Sequence, residues 1–161
     1  MPKNPLDFNV IATGLEFPEG PVAMPDGSVL VVEIKRGIIT RVLPDGSTET
    51  VATPGGGPNG LAMGPAGRCF VCNNGGFQWH VDEMGIRPTL QPANYSGGRI
   101  EVVDLETGRV EVIYTEADGV PLSGPNDIVF DAHGGFYFSD LGKVRPNDQD
   151  RGRVLYGLPD G

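Results

Sequence analysis

Apolar residues along this chain come in short runs, each closed by Gly, Pro, Asn or Asp before the next begins. No run keeps a 3.6-residue period for more than a few positions, so the pattern predicts strands joined by tight turns and no substantial helix. One stretch is written three times, as Pro18–Glu33, Pro58–Asn73 and Pro125–Asp140. Each copy opens on Pro followed by an oxygen-bearing side chain (Glu19, Asn59, Asn126). Each has Gly eight residues after that side chain (Gly27, Gly67, Gly134) and another oxygen-bearing side chain fourteen residues after it (Glu33, Asn73, Asp140). Agreement at three positions in three copies marks a structural repeat. An apolar run, a Gly turn and a second run rich in Val, Phe and Tyr is a β-hairpin.

A second hairpin follows each copy. Gly37–Leu43 leads into the turn Pro44-Asp45-Gly46 and then Thr48–Val51; Gly98–Asp104 leads to Arg109–Tyr114; Gly152–Leu158 leads to Pro159-Asp160-Gly161. Two hairpins give four strands, one blade of a β-propeller, so residues 1–161 are expected to supply about three blades of a single all-β domain. Phe8–Ala12 is expected to be a lead-in strand. The repeat interval is 40 residues from Glu19 to Asn59 and 67 from Asn59 to Asn126, which places an insertion at roughly residues 74–97. It carries Trp79, the one Trp of the chain, and either walls a pocket or packs on its own blade. Three blades do not close a ring, and the last residues match a mid-hairpin turn of the first blade. The expectation is therefore the N-terminal half of a longer propeller, its missing blades supplied by the rest of the protein. Alternatively, a second copy completes the ring by homodimerisation.

Because a hairpin returns to its starting end, the six oxygen-bearing residues gather at one end of the assembly. Carboxylates in company repel unless something positive sits among them, and oxygen donors of this kind suit Ca2+ or Mg2+. The remaining composition narrows the partners. A formal net charge of −9 without any Lys/Arg cluster argues against nucleic acid and anionic membranes. The first residues lack an apolar signal-like core, so a cytoplasmic location is the expectation. Cys69 and Cys72 have C-x-x-C spacing, but in a strand residues three apart face opposite ways and lie roughly 10 Å apart, which predicts two buried thiols. His133 falls in a turn at the far end from the polar group, too distant to activate Ser139. His80 is expected to be a solvated loop residue.

The motifs Phe17-Pro18-Glu19-Gly20-Pro21, Pro58-Asn59-Gly60-Leu61-Ala62 and Gly124–Asp131, followed by Gly135–Asp140, resemble the SMP-30/gluconolactonase/luciferin-regenerating-enzyme family over residues 14–161. That resemblance implies a six-bladed propeller with a divalent cation in its central channel, usually Ca2+, with Mg2+, Zn2+ or Mn2+ as substitutes. It implies hydrolysis of sugar lactones or related esters. By position, Glu19 and Asn126 match metal ligands of the family, whose further ligands lie in later blades. Asn59 and Asn73 are expected to shape the channel around substrate, together with Trp79. Asp140 is expected to be the base that takes a proton from attacking water, or else a partner that orients Asn126. The expected function is metal-dependent hydrolysis of a small lactone or ester; the alternative is a non-catalytic propeller that binds a ligand.

Overall fold

The computed structural model describes residues 8–161. Its strands form the sheets that the repeat predicts. The first sheet holds β1 (Pro18–Ala23), β2 (Val29–Glu33), β3 (Ile38–Val42) and β4 (Thr48–Ala52) in sequence order, all antiparallel. The second is built from β5 (Pro58–Met63), β6 (Cys69–Asn73), β9 (Arg99–Val103) and β10 (Val110–Tyr114). The third has β13 (Pro125–Phe130), β14 (Phe136–Asp140) and β15 (Arg153–Gly157). Two small hairpins complete the set: β7 (Trp79–Asp82) with β8 (Gly85–Pro88) inside the insertion, and β11 (Glu116–Ala117) with β12 (Val120–Pro121). The architecture is that of propeller blades. No helix among the described residues is long and apolar enough to cross a membrane.

Alternation within β6 explains how the sheets stack. Cys69 and Val71 face the first sheet and pack with Leu30, Val32, Ile39 and Leu61. Phe70 and Cys72 face the third sheet and pack with Ile100, Ile128, Phe136 and Phe138. All four side chains are fully buried, as expected of a central strand covered on both faces. The two thiols thus sit in different cores, unpaired with each other, and burial raises Cys69 to about 12. Aromatic edges fill the second interface: Phe70 meets Phe130 at 4.9 Å and Phe136 at 5.6 Å between ring centroids.

Residues 8–15 form no strand, contrary to the expectation for Phe8–Ala12; residues 1–7 lie outside the described part. Phe8, Val10 and Ile11 are exposed, and the segment runs over the Pro44–Gly46 turn, where a Cβ on Gly46 would stand 2.5 Å from the Ile11 carbonyl oxygen. An alternating apolar pattern becomes a strand only where an edge offers pairing partners.

Candidate functional site

The inner strands β1, β5 and β13 lie side by side, and glycine lets them touch. A Cβ on Gly20 would stand 2.7 Å from the Leu61 nitrogen and 3.0 Å from the Asn59 oxygen. One on Gly60 would stand 2.3 Å from the Asn126 backbone carbonyl oxygen. The residue after Glu19 and after Asn59 is therefore glycine because the next blade's backbone fills the space a side chain would take. All three inner strands also break register at this end, between Glu19 and Val22, Pro58 and Gly60, and Pro125 and Ile128. Such irregularities re-aim side chains out of the alternation of the sheet.

The result is a row of oxygen donors across three blades. Asn59 Nδ2 donates to Asn126 Oδ1 at 2.7 Å, a direct bridge between the second and third sheets. Glu19 stands exposed on the neighbouring strand. Oxygen donors in this row suit a hard divalent cation in kind: one carboxylate, plus an amide oxygen whose direction the Asn59 bond fixes. Among the described residues no three His, Cys, Asp or Glu side chains cluster as a metal cage.

The second members of each repeat pair directly opposite the Pro that opens it: Pro18 with Glu33, Pro58 with Asn73, Pro125 with Asp140. Their side chains are buried and fully occupied. Glu33 accepts from the Glu16 N–H at 2.7 Å and from Thr40 Oγ1 at 2.7 Å. Asn73 Oδ1 accepts from the N–H groups of Gly57 (2.9 Å) and Gly75 (3.0 Å), while its Nδ2 donates to Gly55 O and to Glu101. Asp140 Oδ1 accepts from Gly124 N (2.6 Å) and Gly142 N (3.1 Å); Oδ2 accepts from Ser123 N (3.1 Å) and Arg153 Nη2 (2.8 Å). Burial pushes the Asp140 carboxyl up, but the Gly124 N–H, Arg153 and the other donors outweigh it and hold it below the ordinary carboxylate range.

The insertion folds over this end. Trp79 packs on Phe17 of the first blade and on Phe77, with ring centroids at 5.2 and 5.8 Å. It thus reaches beyond its own blade. A cleft of about 430 Å3 opens beside it, lined by Lys35, Gly56, Phe77, Trp79, Pro92 and Asn94 among others. Lys35 pairs with Glu16 at 2.7 Å.

Lys143, which no sequence pattern singles out, anchors the other side of the insertion. It is 2% exposed, and Nζ donates to Gly76 O (2.6 Å) and Asn74 Oδ1 (3.3 Å), 4.2 Å from the centre of the Phe77 ring. Desolvation lowers it to about 8 against the pull of Asp140 and Asp150. A lone Lys in a Gly-containing loop has no periodicity or motif to betray it. His133 lies exposed in the far turn and His80 on the exposed β7, where it meets Asp82.

The family model described as "SMP-30/Gluconolactonase/LRE-like region" matches residues 17–161. A gluconolactonase of Zymomonas mobilis is 25% identical over 147 residues, covering 83% of this chain and 35% of that protein. The solved gluconolactonase XC5397 of Xanthomonas campestris superposes with a TM-score of 0.65 at 17% identity, over 91% of this chain and 45% of that one. The PQQ-bound aldose sugar dehydrogenase of Streptomyces coelicolor does so at 0.64 and 20%, over 95% and 48%. The chain thus spans about a third of the curated relative's length and just under half of these two solved chains.

Proposed function

Since the chain belongs to the SMP-30/gluconolactonase/LRE-like family, we propose that it carries part of the active site of a hydrolase that opens a lactone or related ester with the help of a divalent cation, Ca2+ in the first instance. The observation that carries this reading is the row at the bulged inner ends, with Glu19 on the strand next to the one that starts the 2.7 Å amide bridge from Asn59 to Asn126. In it, Glu19 and Asn126 hold the cation, and Asn59 acts by fixing the direction of the Asn126 oxygen. When bound, the cation polarises the ester carbonyl and offsets the charge that develops on its oxygen. The substrate ring lies toward the cleft of Trp79, whose indole is braced by Phe17 and Phe77. Water adds to the acyl carbon and the ring C–O bond breaks, giving a hydroxy acid.

The shared fold alone does not decide the chemistry, since a sugar dehydrogenase superposes as well as a gluconolactonase does. Lactone hydrolysis measured with and without chelator decides it. Turnover is expected to stop on chelation and return with Ca2+. Glu19→Gln, a charged donor made neutral, is expected to weaken Ca2+ binding by about an order of magnitude or more, read by calorimetry. Chelator-resistant turnover, or a Glu19→Gln protein with unchanged affinity, removes the metal from the reading.

A further inference from the structure

We infer that Asp140 is a positioning residue, and that Glu33, Asn73 and Asp140 are one device used three times to set the loop that presents the inner polar side chain. The inference rests on the reading above for the role of Asn126, but its geometric basis is independent of any ligand.

In each blade the acceptor sits at the last position of the second strand and reaches back to the chain entering the first. Glu33 takes the N–H three residues before Glu19. Asn73 takes the N–H two residues before Asn59. Asp140 takes the N–H groups three and two residues before Asn126. The same side chains are tied on their other side to the third strand, at Thr40, Glu101 and Arg153. Asn73 and Asp140 also capture the N–H two residues after themselves, on Gly75 and Gly142. A single buried side chain thus clamps two loops and a neighbouring strand. An unpaired backbone N–H at such a buried junction is costly, so the clamp fixes where the loop stands.

Two features separate this role from proton transfer. The chemistry is not kept across the repeats: a carboxylate, a carboxamide and a carboxylate do the same work, and a carboxamide is no base. The acceptors of Asp140 are also spent, with two donors on each oxygen. What is kept is an sp2 oxygen at one position, which is what receiving backbone N–H groups requires.

The test compares Asp140→Asn and Asn73→Ala with wild type in the full chain. Its readouts are Ca2+ affinity by calorimetry, hydrogen exchange at the Ser123, Gly124 and Gly57 amides, and lactone hydrolysis at low and saturating Ca2+. Asp140→Asn puts an NH2 group where Oδ2 faces the Ser123 N–H and Arg153. Exchange at Ser123 is therefore expected to speed up, Ca2+ to bind about 10-fold more weakly, and kcat to recover when Ca2+ is raised. Asn73→Ala is expected to speed exchange at Gly57. A protein with Asp140→Asn that keeps wild-type Ca2+ affinity and amide protection, yet loses kcat at every Ca2+ concentration, overturns the inference and makes Asp140 the base. If wild type itself binds no Ca2+, the hydrolase reading fails, while the exchange data still decide the clamp: unchanged protection at Ser123 and Gly57 in the two variants refutes it.

Discussion

Lys143 carries the least expected energetics of any single residue. Its ammonium is enclosed by Gly76, Asn74, Phe77 and Tyr95, with Asp140 and Asp150 near enough to pull on it. Two hydrogen bonds and a ring face offset only part of the lost hydration, so its pKa falls from 10.5 to about 8. Between those values the unfolded chain holds this proton and the folded chain has released it. Stability from this group therefore rises as pH climbs from about 8 toward 10.5, by up to about 3 kcal/mol. Lys143→Met removes the titration. Thermal unfolding of the two proteins at pH 7 and pH 10 is expected to show wild type gaining on the variant across that window; parallel pH dependences refute it. The Asn74 Nδ2 beside it is buried with no partner, so this junction is polar beyond what its hydrogen bonds satisfy.

Between elements, the contact that matters most is the one glycine permits. The Gly60 position touches the third blade's inner strand so closely that any Cβ collides with the Asn126 backbone carbonyl oxygen and, at 2.8 Å, with the Asp127 Cα. Gly60→Ala is expected to destabilise the fold by about 2 kcal/mol through overpacking. By parting β5 from β13 it is also expected to break the Asn59–Asn126 bridge and weaken Ca2+ binding; a variant with wild-type unfolding midpoint and affinity counts against both claims. The strand framework was legible in the sequence because hairpins write themselves locally: Gly27, Gly67 and Gly134 mark the turns, and alternation marks the faces. That Glu19 shares an end with Asn59 and Asn126 followed from the return of each hairpin. Side-chain direction did not follow. Pairing Pro125 with Asp140 is a backbone statement, and only the packed loops show that the Asp140 oxygens turn inward to Ser123, Gly124 and Gly142. The hairpin inside residues 74–97 was equally hidden, since His80-Val81-Asp82 carries one apolar residue and no core-facing alternation. Phe8–Ala12 shows the converse, an apolar pattern without a partner.

At the scale of the whole molecule, the first two sheet interfaces are filled, whereas the outer side of the third sheet leaves Val129, Tyr137, Val154 and Tyr156 about half exposed or more. A shallow hollow of about 280 Å3 lies there between Val129, Tyr137 and Val154. Contiguous apolar surface of this kind favours association. The 161-residue polypeptide is expected to self-associate with rising concentration in sedimentation, and Val129→Lys with Tyr137→Lys to shift it toward monomer. A monomer at every concentration contradicts this. The insertion has another consequence, for the order of events as the chain folds. β2 and β3 are joined by residues 34–37, but β6 and β9 must meet across residues 74–98. Lengthening a loop about sixfold costs about 1.6 kcal/mol of additional closure entropy. The first blade can therefore zip from end to end along local hairpins, whereas the second waits for a distant strand to arrive. Because β6 supplies one wall of both cores, that late docking holds back the burial of each, and the segment that brings Trp79 to the candidate site also sets the pace at which the site is assembled.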